Sequence, residues 1–230
     1  MFDRIAGVYD RMNTVMTAGM HHRWRARAAA LAQVQPGDRV LDVATGTGDL
    51  ALELARRVAP GGSVVGADFS ARMLELADAK LSGLLADGRA PRDVEVHFER
   101  ANALELPYAD GEFAAATVGF GARNFSDLDR GLSELARVVR PGGRVVVLEI
   151  TTAAGTRLAG LLDVWFERVV PLLGRLAGDA DAYSYLPSSV RRFPSPPALA
   201  DAMWRAGLEG IHWVLTAGGM IALHVGVVRA

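Results

Sequence analysis

The stretch that most constrains this chain runs from Val40 to Leu52 and reads VLDVATGTGDLAL. A short apolar run ends in an acid, a glycine-rich turn follows, and a helical pattern begins. This order predicts a strand, a tight loop and a helix N-terminus, the place where an open α/β sheet binds a nucleoside-bearing ligand. Gly46 and Gly48 allow a sharp turn and a close backbone approach to that ligand.

The same residues satisfy the dinucleotide pattern, because Gly46, Gly48 and Ala51 match G-x-G-x-x-G/A and Asp68 follows about 20 residues on. Charge separates the two readings. A dinucleotide sets a pyrophosphate on the helix N-terminus, whereas this loop has Asp42 before the glycines and Asp49 directly after them. Two carboxylates repel a pyrophosphate and suit a ligand with an ammonium, a sulfonium and no phosphate. S-adenosylmethionine has that chemistry.

With 230 residues, half of them hydrophobic, the chain can bury one sizeable core. A net charge of −1 offers no electrostatic argument for a nucleic-acid partner. The absence of cysteine excludes a disulfide framework and a thiolate zinc site, and no grouping of His and carboxylates has metal-ligand spacing. With no cysteine and no N-terminal apolar segment for export, a cytoplasmic protein is expected, and no apolar run approaches the roughly 18 residues of a membrane span. The basic residues are arginines apart from Lys80.

Residues 1–32 predict two helices joined near Thr17 to Met20. Phe2, Tyr9, Asp10 and Asn13 mix with apolar positions in the first, which fits either a lid over a ligand or plain packing on the sheet. Further strands are expected at Arg39 to Val43, Ser63 to Ala67, Val94 to Phe98, Phe113 to Phe120 and Arg144 to Ile150. The intervening helices run from Asp49 to Val58, from Ala71 to about Leu85 with Ser70 as cap, and from a Ser126 cap to about Val139. Asp68 ends the second strand, placed to accept from both ribose hydroxyls, and Phe69 offers a face to the adenine. Asn102 and Ala103 stand where a carboxamide or backbone N–H reads the adenine edge, although an Asn there is as readily a turn former. Gly119 ends the fourth strand, followed by the polar pair Arg123-Asn124 on the ligand side of the sheet.

Beyond residue 150, Leu158 to Leu176 predicts an amphipathic helix, and Tyr183 to Pro187 an aromatic loop. Pro196 opens a helix closed by Gly207, and the runs Ile211 to Leu215 and Ile221 to Val228 form a hairpin. A terminal hairpin on a parallel sheet departs from a simple dinucleotide fold and fits a seven-stranded methyltransferase sheet.

From end to end the chain resembles the ubiquinone and menaquinone biosynthesis C-methyltransferases. The stretches that carry the resemblance are FDRIAGVYDRMN, GMHHRWR, VLDVATGTGDL, ADFSARML, NALELPY, GFGARNFSD, RVVRPGGRVVVLE, YSYLPSSVRRFP and LTAGGMIALHVG. The resemblance implies a class I S-adenosylmethionine-dependent methyltransferase, a Rossmann-like α/β fold with a seven-stranded mixed sheet and an N-terminal helical lid. It divides one domain, 1–230, into a lid (1–32), a cofactor-binding core (33–150) and substrate-side helices with the hairpin (151–230).

The implied reaction is methyl transfer to a ring carbon of a reduced prenylated quinone, most simply demethylmenaquinol to menaquinol. A methyltransferase of another small aromatic and a non-catalytic cofactor binder are the alternatives. Carried over position by position, the cofactor contacts are Thr47, Asp68, Asn102 with Ala103, and the backbone at Gly119, where the family usually has Ser. Asp42, Gly46, Gly48 and Phe69 complete the set. Arg123 is expected to stabilise a phenolate, with Tyr9, Asn124 and Tyr185 orienting the ring. His21 and His224 are titratable alternatives with an ordinary structural reading. His22 stands where the family usually has a basic residue, and LTAGG replaces LTGG. A lipid-borne substrate implies peripheral contact with the inner face of a membrane, and a homodimer stays open.

Overall fold

The computed structural model describes residues 14, 17, 19–151 and 188–230. The first lid helix with Tyr9, the helix expected from Leu158 to Leu176 and the aromatic loop with Tyr185 lie outside the described residues.

Alternating strands and helices build a seven-stranded sheet in the order β3-β2-β1-β4-β5-β7-β6. Strands β1 (Arg39–Val43), β2 (Ser63–Asp68), β3 (Glu95–Arg100), β4 (Phe113–Gly119) and β5 (Val139–Ile150) are parallel. β6 (Leu208–Thr216) and β7 (Ile221–Val228) form the hairpin, with β7 antiparallel to β5. The chain leaves β1 toward β2 and β3, then returns to the other side of β1 as β4. That reversal opens a crevice beyond the carboxyl ends of β1 and β4.

The central strands are continuous Val, Leu and Ala runs because helices cover both of their faces. On one side α1 (Met20–Leu31), α2 (Asp49–Val58) and α3 (Ala71–Ala86) set Trp24, Ala28, Leu50, Leu54 and Ala77 against Val40, Val64 and Val146. On the other, α4 (Leu128–Val138) and α5 (Pro196–Arg205) set Leu132, Leu135, Leu199 and Met203 against Leu41, Val118 and Val147. Burying each such Leu contributes about 1.5–3 kcal/mol.

Ser70 caps α3 as expected, its hydroxyl accepting from the Met73 N–H. Several boundaries differ from the sequence reading, β3 running over Glu95–Arg100 in place of Val94 to Phe98, and three of them have a visible cause. Asp127, not Ser126, caps α4, because its extended backbone lets its carboxylate accept from the Arg130 N–H at 2.9 Å. The turn expected at Arg140 to Gly143 is a bulge inside β5, with Val139 already paired to Phe113 before the ladder resumes at Arg144. A second bulge, after Glu209, lets β6 begin at Leu208 rather than Ile211.

His224 on β7 is buried, stacks on Trp213 and donates from Nε2 to the Pro196 carbonyl at 3.0 Å. Burial pushes its pKa down to about 4, so the ring is neutral and structural. It joins the hairpin to α5.

Candidate active site

The crevice holds a cavity of about 450 Å³, within the usual range for a small-molecule site. Ala44 after β1 and Phe120 after β4, both on its wall, have left-handed backbones with φ of 53° and 60°. Non-glycine residues held this way cost about 1–3 kcal/mol each and cluster at functional sites.

Asp42, at the base of the cavity, is buried and accepts from the Thr45 hydroxyl at 2.7 Å and the Thr117 hydroxyl at 2.6 Å. Burial pushes its pKa up to about 6 in spite of both hydroxyls and the nearby Arg25 charge. Each carboxylate oxygen retains capacity for a further donor. Because the folded pKa is raised, the stability Asp42 contributes is full below 3.8 and lost as pH rises through about 6. A cationic ligand reverses that preference, since it requires the ionised form. S-adenosylhomocysteine, which carries the same ammonium, is therefore expected to bind up to about tenfold more weakly per unit as pH falls below 6, and Asp42→Asn to lose this slope. Calorimetric titrations from pH 5 to 8 measure it; equal slopes for parent and variant would exclude Asp42 as the ammonium partner.

The loop is tied across to β2. Asp68 accepts from the Gly46 N–H at 2.8 Å and from the Ser70 N–H at 2.9 Å, so one carboxylate holds both the glycine turn and the start of α3. Gly46 (φ 58°) has open space where a Cβ would stand. Gly48 (φ 82°) is a correction: it is off the cavity wall, and a Cβ there would lie 2.7 Å from the Phe98 ring and 3.2 Å from Ala77. Its role is close packing of α2 on the sheet and α3, not ligand approach.

The charge argument is corrected in the same way. Asp49 is off this wall and lines a neighbouring cavity with Lys80. Lys80 Nζ lies 2.7 Å from its carboxylate and Arg25 lies 3.4 Å away. Burial alone would raise the Asp49 pKa, but these cations hold it below the usual range. The carboxylates on the cavity wall are thus Asp42 and Asp68. Thr47 is also on the wall, its hydroxyl accepting from Lys80 at 2.9 Å.

At the other end Phe69 is 67% exposed, with the Arg100 guanidinium 4.9 Å from its ring centroid. Asn102 and Ala103 line the wall, but Asn102 Oδ1 accepts from the Leu104 N–H at 3.1 Å, so the carboxamide oxygen serves the turn. At Gly119 the wall is bare backbone, and a Cβ would come within 3.1 Å of Leu50.

Arg123 and Asn124 belong to a 3-10 turn, Ala122–Asn124, and only Asn124 reaches the cavity. Arg123 Nη1 donates to Glu149 Oε1 at 2.6 Å and to the Phe120 carbonyl, and its N–H donates to Glu149 Oε2 at 3.2 Å. Both side chains are buried. The expectation of a cation free to face a phenolate is therefore corrected, because the Arg123 charge is matched by Glu149. Asn124 Oδ1 is buried on the wall with no hydrogen-bond partner among the described residues.

Near the loop, the donor atoms of His21, His22 and Asp49 lie within 4.8 Å of one another, a grouping that sequence spacing does not reveal. Arg25 and Lys80 already lie against that carboxylate. Arginine only donates, so His21 Nδ1 accepts from Arg25 and Nε2–H donates to the Thr14 hydroxyl at 3.1 Å.

What separates this sheet from dinucleotide-binding folds is its far edge, where β7 enters antiparallel to β5 and β6 closes the hairpin. Together with an acid-rich, phosphate-averse cavity, this is the class I, Rossmann-like fold of S-adenosylmethionine-dependent methyltransferases. Solved structures agree at the level of fold. An S-adenosylmethionine-dependent methyltransferase from Thermotoga maritima superposes with a TM-score of 0.62 at 20% identity, covering 98% of this chain and 97% of that one. The [4+2]-cyclase SpnF superposes with a TM-score of 0.65 at 20% identity over 91% of this chain and 82% of its own. This chain belongs to the ubiE/COQ5 methyltransferase family, which matches residues 1–228. The demethylmenaquinone methyltransferase of Thermus thermophilus is 46% identical over 227 residues, 98% of this chain and 99% of that one. The ubiquinone/menaquinone biosynthesis C-methyltransferase UbiE of Teredinibacter turnerae is 39% identical over 229 residues, 98% and 89% of the two chains.

Proposed function

We propose that this enzyme methylates a ring carbon of a reduced prenylated quinone, converting demethylmenaquinol to menaquinol with S-adenosylmethionine as methyl donor. The observation that carries the reading is the end-to-end match to a demethylmenaquinone methyltransferase of the same length class, joined to a cavity that Asn124 lines beside the ligand loop.

The cavity residues fit the donor. Asp42 faces the ammonium, and Asp68 accepts from the ribose hydroxyls. Phe69 stacks on the adenine, and the backbone at Asn102 and Ala103 meets its edge. Gly46, Thr47 and Gly119 form the adjoining wall, with Gly48 holding the loop from behind. When bound, the donor supplies an electrophilic sulfonium methyl. The protein must hold the ring in line and help the adjacent hydroxyl lose its proton. Asn124, on the cavity wall, orients the ring. Arg123, paired with Glu149, positions the turn that presents Asn124. Tyr9 and Tyr185, outside the described residues, are assigned to ring orientation from the family resemblance alone.

No helix among the described residues is long and apolar enough to cross a membrane. The lipid-borne tail makes peripheral contact at the inner membrane face part of the proposal, checked by flotation with anionic liposomes.

The direct test offers labelled S-adenosylmethionine with a demethylmenaquinol and, separately, with the benzoquinol precursor of ubiquinone. Methyl transfer to the naphthoquinol alone is the expected result. Turnover of both would widen the substrate class, and turnover of neither by a protein that binds S-adenosylhomocysteine would overturn the quinol reading.

A further inference from the structure

The cavity has two carboxylates on its wall, Asp42 and Asp68, and among the described residues a single Lys or Arg, Arg25. Arg25 projects from α1, which the loop motif does not include. It is 7% exposed, and its guanidinium lies 5.6 Å from the Phe120 ring centroid. Its polar contacts are made through Nη1 alone, to His21 Nδ1 and, at 3.4 Å, to Asp49 Oδ2. Neither Nε nor Nη2 is among the buried unpartnered atoms, so both retain access to solvent or ligand. A guanidinium offers five N–H donors in a fork that matches a carboxylate. Here most of that fork is uncommitted on the wall of a cavity whose base is Asp42.

The two charges have a matching ligand. The amino-acid end of the methyl donor is a zwitterion, and an ammonium held by Asp42 brings its carboxylate within one bond of the same carbon. A carboxylate taken out of water without a partner would be costly. Arg25 is the available cation, and Phe120 packs against it. Resting on the methyl-donor reading above, we propose that Arg25 binds the carboxylate of the donor's amino-acid end, with His21 and Asp49 fixing its rotamer. The cavity then reads an α-amino acid through both of its charges.

The test compares S-adenosylhomocysteine with its decarboxylated form, which keeps the ammonium, by calorimetry on the whole chain. The parent is expected to prefer the carboxylate-bearing ligand by about 10- to 100-fold, the range of one charge-assisted contact. In Arg25→Gln that preference collapses to near one, while affinity for the decarboxylated ligand stays within about threefold, which also shows that the variant is folded. Arg25→Lys, which keeps a charge against Asp49 without the fork, retains a preference intermediate between those of the parent and Arg25→Gln. Equal weakening of both ligands in Arg25→Gln, or undiminished discrimination in either variant, overturns the assignment. A parent protein that binds neither ligand removes the methyl-donor reading itself, and this is read before any variant is made.

Discussion

Glu149→Ala is expected to lower the free energy of unfolding by about 3–5 kcal/mol, the usual cost of removing one partner from a buried ion pair. Glu149 is fully buried and accepts from Arg123 Nη1, from the Arg123 N–H and, at 2.9 Å, from the Ile150 N–H. Without it the buried guanidinium keeps the Phe120 carbonyl as its one hydrogen-bond partner, and the two N–H groups lose their acceptor. The turn Ala122–Asn124 loses its anchor to β5, so Asn124 is misplaced as well. Denaturant unfolding measures the first effect and methyl transfer at saturating donor the second. Removing both partners, in Glu149→Leu with Arg123→Met, is expected to restore much of the stability and little of the activity. A Glu149→Ala variant within 1 kcal/mol of the parent would show that the pair is not desolvated as described.

The second large effect is on donor binding. Asp68→Ala is expected to weaken S-adenosylhomocysteine by a hundredfold or more, about 3 kcal/mol, because on the proposed reading two ribose hydroxyls lose an ionised acceptor. The Gly46 and Ser70 N–H groups are also released, so the glycine turn and the start of α3 lose their shared tie. Asp68→Asn separates the two roles. A carboxamide still offers one oxygen to a backbone N–H but presents an NH₂ where the second acceptor stood, and it is expected to recover the melting temperature more fully than the affinity. Calorimetry beside thermal melts reads both. An Asp68→Ala protein whose affinity stays within about threefold of the parent would reduce Asp68 to a loop tie.

Local chemistry made much of this fold legible. The runs RVLDV and IALHVGVV are strands over the expected residues because alternating and continuous apolar patterns are read directly on a pleated backbone. Asp49–Val58 is a helix over the expected range, as its apolar spacing demands. Two of the boundaries that moved did so at bulges, at Arg140 to Gly143 and after Glu209, where pairing to a distant strand decides how far a ladder continues.

The site was legible as a place and less so as a set of contacts. Asp42, Thr47, Asp68, Phe69, Asn102, Ala103, Gly119 and Asn124 do line one cavity. Thr117 and Glu149 were overlooked, although each is a polar residue in an otherwise apolar run, FAAATVG and VVVLEI, which is a readable sign of a buried polar partner. Gly48 was assigned to the ligand because a glycine motif does not say which neighbour a Cβ would strike. That neighbour is Phe98, fifty residues along the chain.

By itself the sequence determined the class of sheet, the loop that faces a ligand and the family to which the chain belongs, since these depend on short-range pattern and on motifs in order. Which charges remain free was decided by the tertiary structure. Asp42 and Asp49 flank the same loop, yet Lys80 and Arg25 neutralise the second, while two threonine hydroxyls hold the first at the cavity base. Arg123 was expected to face a phenolate and is paired with Glu149, while Arg25, to which the sequence reading gave no role, reaches the cavity. Electrostatic energy depends on distance and burial, not on sequence separation. Only the packed arrangement of α1, α3 and β5 around the glycine loop could assign these partners.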